Sequence, residues 1–93
     1  MILKLKKYGS VLTGREFGAD TMKQLAKSVS HPVELDFEEV ISMGSSFGEE
    51  IIPILAKKQG NRIKIHNANN AIWNCLHEIA KEESISLVKD AGC

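Results

Sequence analysis

Only two cysteines occur in the 93 residues, Cys75 inside a helical pattern and Cys93 at the very end. They make neither a disulfide framework nor a metal-ligand spacing. Charge of one sign is also missing, with 12 Lys+Arg against 12 Asp+Glu. Nucleic acid and anionic membranes call for a basic excess, so neither is expected as the main partner. No window approaches the ~18 consecutive apolar residues of a membrane span. The opening MILKLKKYGS has too short an apolar run for a signal peptide and reads as an edge strand. Internal repeats, low-complexity tracts and linkers are absent. What is present is an ordinary globular composition, 43% apolar, sized for one domain over residues 1–93 with a single core. The expected location is the cytoplasm.

Periodicity divides the chain into alternating elements. Ile2, Leu3 and Leu5 begin a short strand. Val11 and Leu12 form either a second strand or the return arm of a hairpin. From Arg15, the residues Ala19, Met22, Leu25, Ala26 and Val29 make one helical stripe, which His31-Pro32 ends. Val33, Leu35 and Phe37 alternate with Glu34 and Asp36, the period of a strand. Val40, Ile41 and Met43 carry the apolar character through a connecting segment. A helix is expected from Ser46, with Ser46 and Glu49 as a capping box and with Pro53 costing one hydrogen bond and kinking it. Gly60-Asn61 ends that helix. Arg62 to His66 alternates as a strand, Asn69 or Asn70 caps a helix with the stripe Ile72, Cys75, Leu76 and Ile79, and Ile85 to Val88 is a last strand. This order implies an α/β fold, a mostly parallel sheet of four or five strands covered by three helices. In such sheets, functional groups gather where strand C-termini meet helix N-termini. The stretch ELDFEEVISMGSSFGEE lies at that edge.

Three pieces of the chain together resemble the STAS-like domain family, whose plan is related to that of anti-sigma factor antagonists. They are Gly9-x-x-Leu12-x-x-Arg15, Val33-x-Leu35-Asp36-Phe37-x-x-Val40, and Ser46-Phe47-Gly48-Glu49-Glu50. The resemblance implies a regulatory binding module rather than an enzyme, without metal or cofactor. It also implies a protein partner of the histidine-kinase ATPase or anti-sigma type, and a serine switched by phosphorylation at the start of the helix after the central strand. Where antagonists carry roughly Asp-Ser-Ser-Gly, this chain has Gly44-Ser45-Ser46-Phe47, which aligns Ser45 with the phosphorylated serine. Gly44 replaces the aspartate and Phe47 the glycine. The candidate phosphorylation sites are thus Ser45 and Ser46, and the candidate partner contacts are Arg15, Asp36, Phe37, Gly44, Phe47, Glu49 and Glu50.

The residues themselves weigh these roles. Capping is the favoured reading for Ser46, given its Glu49. Ser45 precedes the cap and is expected to be exposed, where a phosphate would meet the positive end of the helix while Glu49 and Glu50 repel it. One glycine and two serines without a following lysine do not make a phosphate-cradling Walker loop. Asp36, Glu38 and Glu39 form an acidic cluster of the kind usually solvated, without a histidine at metal-ligand spacing. Arg15 reads equally as a partner contact or as a surface arginine held by a nearby carboxylate. Trp73 flanks its helix stripe and reads as a core-rim residue. The alternative function is a small ligand- or phosphate-binding domain, or a weak hydrolase, using Ser45 and His66 with Asp36. That alternative requires a pocket with Ser45 and His66 in hydrogen-bond reach, although no G-x-S-x-G nucleophile elbow is present.

Overall fold

The computed structural model describes residues 1–90; Cys93, expected to be exposed, lies outside them. A four-stranded, fully parallel sheet is built from β1 (Ile2–Lys4), β3 (Glu34–Asp36), β5 (Arg62–His66) and β6 (Ser86–Lys89), in that spatial order. A second parallel pair joins β2 (Val11–Leu12) to β4 (Ser42–Met43). Three helical regions accompany the sheet: α1 (Arg15–Ala26), a second divided into α2 (Ser45–Glu49) and α3 (Ile52–Lys57), and α4 (Asn70–Glu83). The fold is α/β with a mostly parallel sheet and three covering helices, as the alternation implies. No helix of the described residues is long and apolar enough to cross a membrane.

Strand alternation sets which face is covered. Leu3, Leu35, Ile63 and Ile65 are buried in the core cluster with the helices' Leu25, Phe47, Leu55, Ile72 and Leu76. Their alternate neighbours Ile2, Lys4, Glu34, Lys64 and His66 are exposed or half-buried. The sheet is therefore apolar on one face and charged on the other. Val11–Leu12 is a strand rather than a hairpin return, because its partner is the parallel Ser42–Met43, inside the segment expected only to connect.

The helix boundaries differ from the periodic reading for identifiable reasons. α1 buries Gly18, Thr21, Met22 and Leu25, while Ala26 is exposed. Its stripe turns toward Gly18 because α2 crosses there: a Cβ on Gly18 would lie 2.8 Å from the Phe47 carbonyl oxygen and 3.1 Å from Phe47 Cα. α1 ends at Ala26, ahead of His31-Pro32, in a turn closed by Ser28 and Val29 N–H groups donating to Leu25 O. Pro53 divides the second helical region instead of kinking it. A proline ring clashes with the carbonyl four residues back, here that of Glu49, so α2 stops at Glu49. Two tighter bonds follow, Glu50 N to Phe47 O at 3.2 Å and Ile51 N to Gly48 O at 3.0 Å. α3 then starts afresh with Pro53 in its first turn, where no N–H is needed. α4 begins as expected, with Asn69 Oδ1 accepting from Ile72 N at 2.9 Å.

Gln59, just beyond α3, joins three segments. Its Oε1 accepts from Val33 N at 2.9 Å and contacts His31 Nδ1 at 2.7 Å. Its Nε2 donates to Val33 O at 3.0 Å and Arg62 O at 2.8 Å. The side-chain amide thus ties the segment entering β3 to the start of β5.

Candidate functional site

The Gly44-Ser45-Ser46 corner is positioned by backbone bonds to the small parallel pair. Gly44 N donates to Leu12 O at 2.8 Å, and Gly44 O accepts from Gly48 N at 3.1 Å. Gly44, in extended conformation, is itself the N-cap of α2, and no side chain caps that end. The N-cap therefore lies two residues earlier than the capping-box pattern predicts, and the Ser46–Glu49 box does not form. Glu49 is engaged elsewhere: Arg15 Nη2 donates to Glu49 Oε2 at 3.2 Å, and Arg15 Nη1 to Glu50 Oε2 at 2.8 Å. Arg15 is thus an arginine held by carboxylates, but those of α2 rather than its own helix. It ties the start of α1 to the end of α2. Ser45 is exposed, Ser46 is half-buried, and neither hydroxyl makes a hydrogen bond within the described residues.

Phe37 and Phe47, expected at a partner surface, are each only 1% exposed. Their side chains belong to the core, since burying a phenylalanine is worth about 1.5–3 kcal/mol. Phe47 also meets the Phe17 ring, with centroids 5.1 Å apart and planes tilted by 56°, a tilted aromatic pair at favourable separation. The exposed apolar side chains near this corner are instead Val11, Phe17 and Ile41. Val11 lies in the β2–β4 pairing opposite Ser42, and Ile41 just before it, where Ile41 N donates to Ser10 O at 2.7 Å. On sequence, Val11 and Ile41 fall in a strand and a connecting segment, neither is assigned to a surface, and Phe17 is left out. A signal existed for Phe17, an aromatic lying off the apolar stripe of its helix.

The acidic cluster is divided among different partners. Asp36 is buried, and its Oδ1 accepts from Glu38 N and Asn67 Nδ2, both at 2.9 Å. Burial pushes its pKa up, but these bonds and the nearby charges of Lys4 and His66 more than offset that and hold it below the usual aspartate value. Glu39 pairs with Lys6 at 2.9 Å, and Glu38 is exposed. No group of acidic, histidine and cysteine side chains suited to a metal ion occurs among the described residues. Cys75 is half-buried, and burial raises its thiol pKa.

His66, at the end of β5, is clamped on the charged face of the sheet. Its Nε2 lies 2.6 Å from Glu34 Oε1 and its Nδ1 2.6 Å from Asp90 Oδ2. With both carboxylates ionised, they accept only, and both ring nitrogens then donate as in an imidazolium. The bond to Glu34, helped by that to Asp90, raises the His66 pKa, with burial pulling the other way. Neither nitrogen is free to take a proton from Ser45. The Ser45–His66–Asp36 arrangement of the alternative reading is therefore not assembled. The clefts beside α1 and beside the start of β5 are lined by neither Ser45 nor His66.

A parallel sheet with helices on its apolar face, and two serines opening the second helical region, defines a STAS-like α/β domain. The sequence profile of the family described as STAS-like domain of unknown function (DUF4325) matches residues 13–73, more than half of the chain. The chain belongs to that family. The match spans α1 through β5 and the first residues of α4. It contains the second and third recognised pieces whole, and only Arg15 of the first. No curated protein and no solved structure matches the chain.

Proposed function

We propose that this domain is a regulatory protein-binding module, docking through the corner between β4 and α2 and switched by phosphorylation of Ser45. The observation that carries this reading is that Ser45 is exposed, uncommitted to any hydrogen bond among the described residues, and on the short helix whose Phe47 meets the exposed ring of Phe17. Isolated exposed apolar residues are ordinary, but an exposed aromatic in contact with the short helix that bears a modifiable hydroxyl supplies an anchor and a switch together.

The mechanism acts through Arg15. Ser45 and Glu49 are four residues apart on α2, hence neighbours on one helix face. A phosphate on Ser45 brings about −1.5 to −2 charges. It repels Glu49 and competes with it for Arg15, whose bond to Glu49, at 3.2 Å, is the longer of its two. The same charge places a hydrated group on the helix that the Phe17 anchor meets and weakens docking of an apolar partner surface. By the family resemblance, the partner is an anti-sigma-like protein or a histidine-kinase-type ATPase, in which case ATP is bound there and not here.

The test is capture from the native cells with wild-type, Ser45→Ala and Ser45→Asp chains as bait, with phosphosite mapping of the wild type. The expected result is phosphate on Ser45, one ATPase-like partner retained by wild type and Ser45→Ala, and its loss with Ser45→Asp. Equal recovery by all three, or an unmodified Ser45 whatever the growth condition, overturns the switch.

A further inference from the structure

A groove of about 330 Å³ runs between α1 and α3, at the lower end of the size of small-molecule sites. Ala19, Met22 and Ala26 of α1 form one wall, at spacings that put them on one helix face. Ile54, which is 44% exposed, and Leu55 form the other. Val29 and His31, from the turn after α1, line it as well. The alanines keep the groove open, since a longer side chain at either position would occupy it.

The charged groups on the rim are unequal. Glu50 is already paired with Arg15 at 2.8 Å. Lys23 and Lys58 have no ion-pair partner among the described residues. An apolar trough with two free cations and a neutralised carboxylate complements a ligand with an apolar chain and an anionic head. We propose that the α1–α3 groove binds a small amphipathic carboxylate, its chain against Ala19, Met22, Ala26 and Ile54 and its carboxylate held by Lys23 and Lys58. The groove shares only Glu50 with the Ser45 corner, and its occupancy does not depend on that reading.

Calorimetric titration and methyl NMR of the full chain with butanoate, hexanoate, octanoate, octanol and octyl phosphate test this. Binding is saturable, affinity rises about fourfold per added methylene, and shifts concentrate at the Ala19, Met22, Ala26 and Ile54 methyls. Octanoate binds about three- to tenfold tighter than octanol, as two partly exposed charge contacts provide. The double variant Lys23→Gln/Lys58→Gln loses that preference while keeping the chain-length dependence. Ala26→Leu, at an exposed helix position that accepts leucine, keeps the circular dichroism spectrum and abolishes binding. Absence of saturable binding, shifts centred elsewhere, or unchanged binding by Ala26→Leu overturns the site. Tighter binding of octyl phosphate overturns the carboxylate assignment, and binding of an acidic amphipathic peptide in place of octanoate reassigns the groove to a partner helix.

Discussion

Ser45 stands just past the C-terminal end of one strand and His66 at that of another, yet their surroundings are opposite. At His66, two carboxylates from β3 and the end of β6 use both ring nitrogens. At Ser45 the backbone does the positioning, through Gly44 and Leu12, and the hydroxyl is left unused among the described residues. A side chain whose hydrogen-bonding capacity is spent contributes to the fold, whereas an exposed one held by rigid backbone is available for chemistry or contact. The difference separates a structural polar cluster from a candidate switch more reliably than residue type, by which the alternative reading joins Ser45 and His66 in one site.

The largest effect is expected below the serine corner. Phe47→Ala removes a buried ring paired with Phe17 and is expected to cost about 3–5 kcal/mol, measured by urea unfolding. A domain of this size has roughly 5–15 kcal/mol in total, so little stability remains. A loss under about 1 kcal/mol would mean that the corner is not anchored in the core.

At the clamp, His66→Ala leaves Glu34 and Asp90 facing each other without their shared donor. A destabilisation of about 1–3 kcal/mol is expected, with Glu34→Gln restoring part of it in the double variant. No recovery would show that like-charge repulsion is not the cause.

The clamp also has a pH signature. Its pKa is raised in the folded chain, so its stabilisation is fully present below the unfolded histidine pKa, about 6.5. It is lost as pH rises through the folded value. Asp36, lowered on folding, acts oppositely: its contribution is present above the unfolded aspartate value, about 3.9, and is lost as pH falls through the folded one. Unfolding free energy measured from pH 5 to 9 is expected to fall across the upper part of that range in wild type and to stay flat there in His66→Gln. An equal fall in both would assign it to other groups.

The smallest effect on stability is expected at Ser45. Ser45→Ala and Ser45→Asp should each change it by less than about 0.5 kcal/mol, though they differ in partner recovery. A larger loss in Ser45→Ala would make the hydroxyl part of the fold and remove the contrast with His66.

Much of this fold was legible because it rests on periodicity. Ile63 and Ile65 alternating with charged residues specified a strand, and Asn69 ahead of Ile72 specified a capped helix start. The second helical region was misread where two local signals competed. Ser46 and Glu49 match a capping box, but Glu49 has a stronger partner in Arg15, which is distant in sequence. Pro53 was read as a kink because sequence does not show how far the chain rewinds after the blocked Glu49 carbonyl. On sequence, Phe37 and Phe47 are partner-contact candidates because they sit beside acidic and serine residues, with the core open as the other reading of Phe47, and chain neighbours say little about which way a ring points. The Glu34–His66–Asp90 clamp carried no sequence signal at all, since it depends on the register that sets β3 beside β5 and brings the end of β6 alongside.

Gln59 has a consequence for how that register is chosen. Its amide bonds both the N–H and the carbonyl of Val33, the closed pairing that two opposed residues make in an antiparallel ladder. The side chain therefore acts as a detached peptide unit, a first rung laid before the β3–β5 ladder begins. With its Nε2 also on Arg62 O, it works as a gauge fixing how far one strand can slide along the other. A slip by one residue would exchange Leu35 for Glu34 on the apolar face. One amide at the foot of the sheet thus helps decide which of its faces is charged, and so whether His66 finds its two carboxylates.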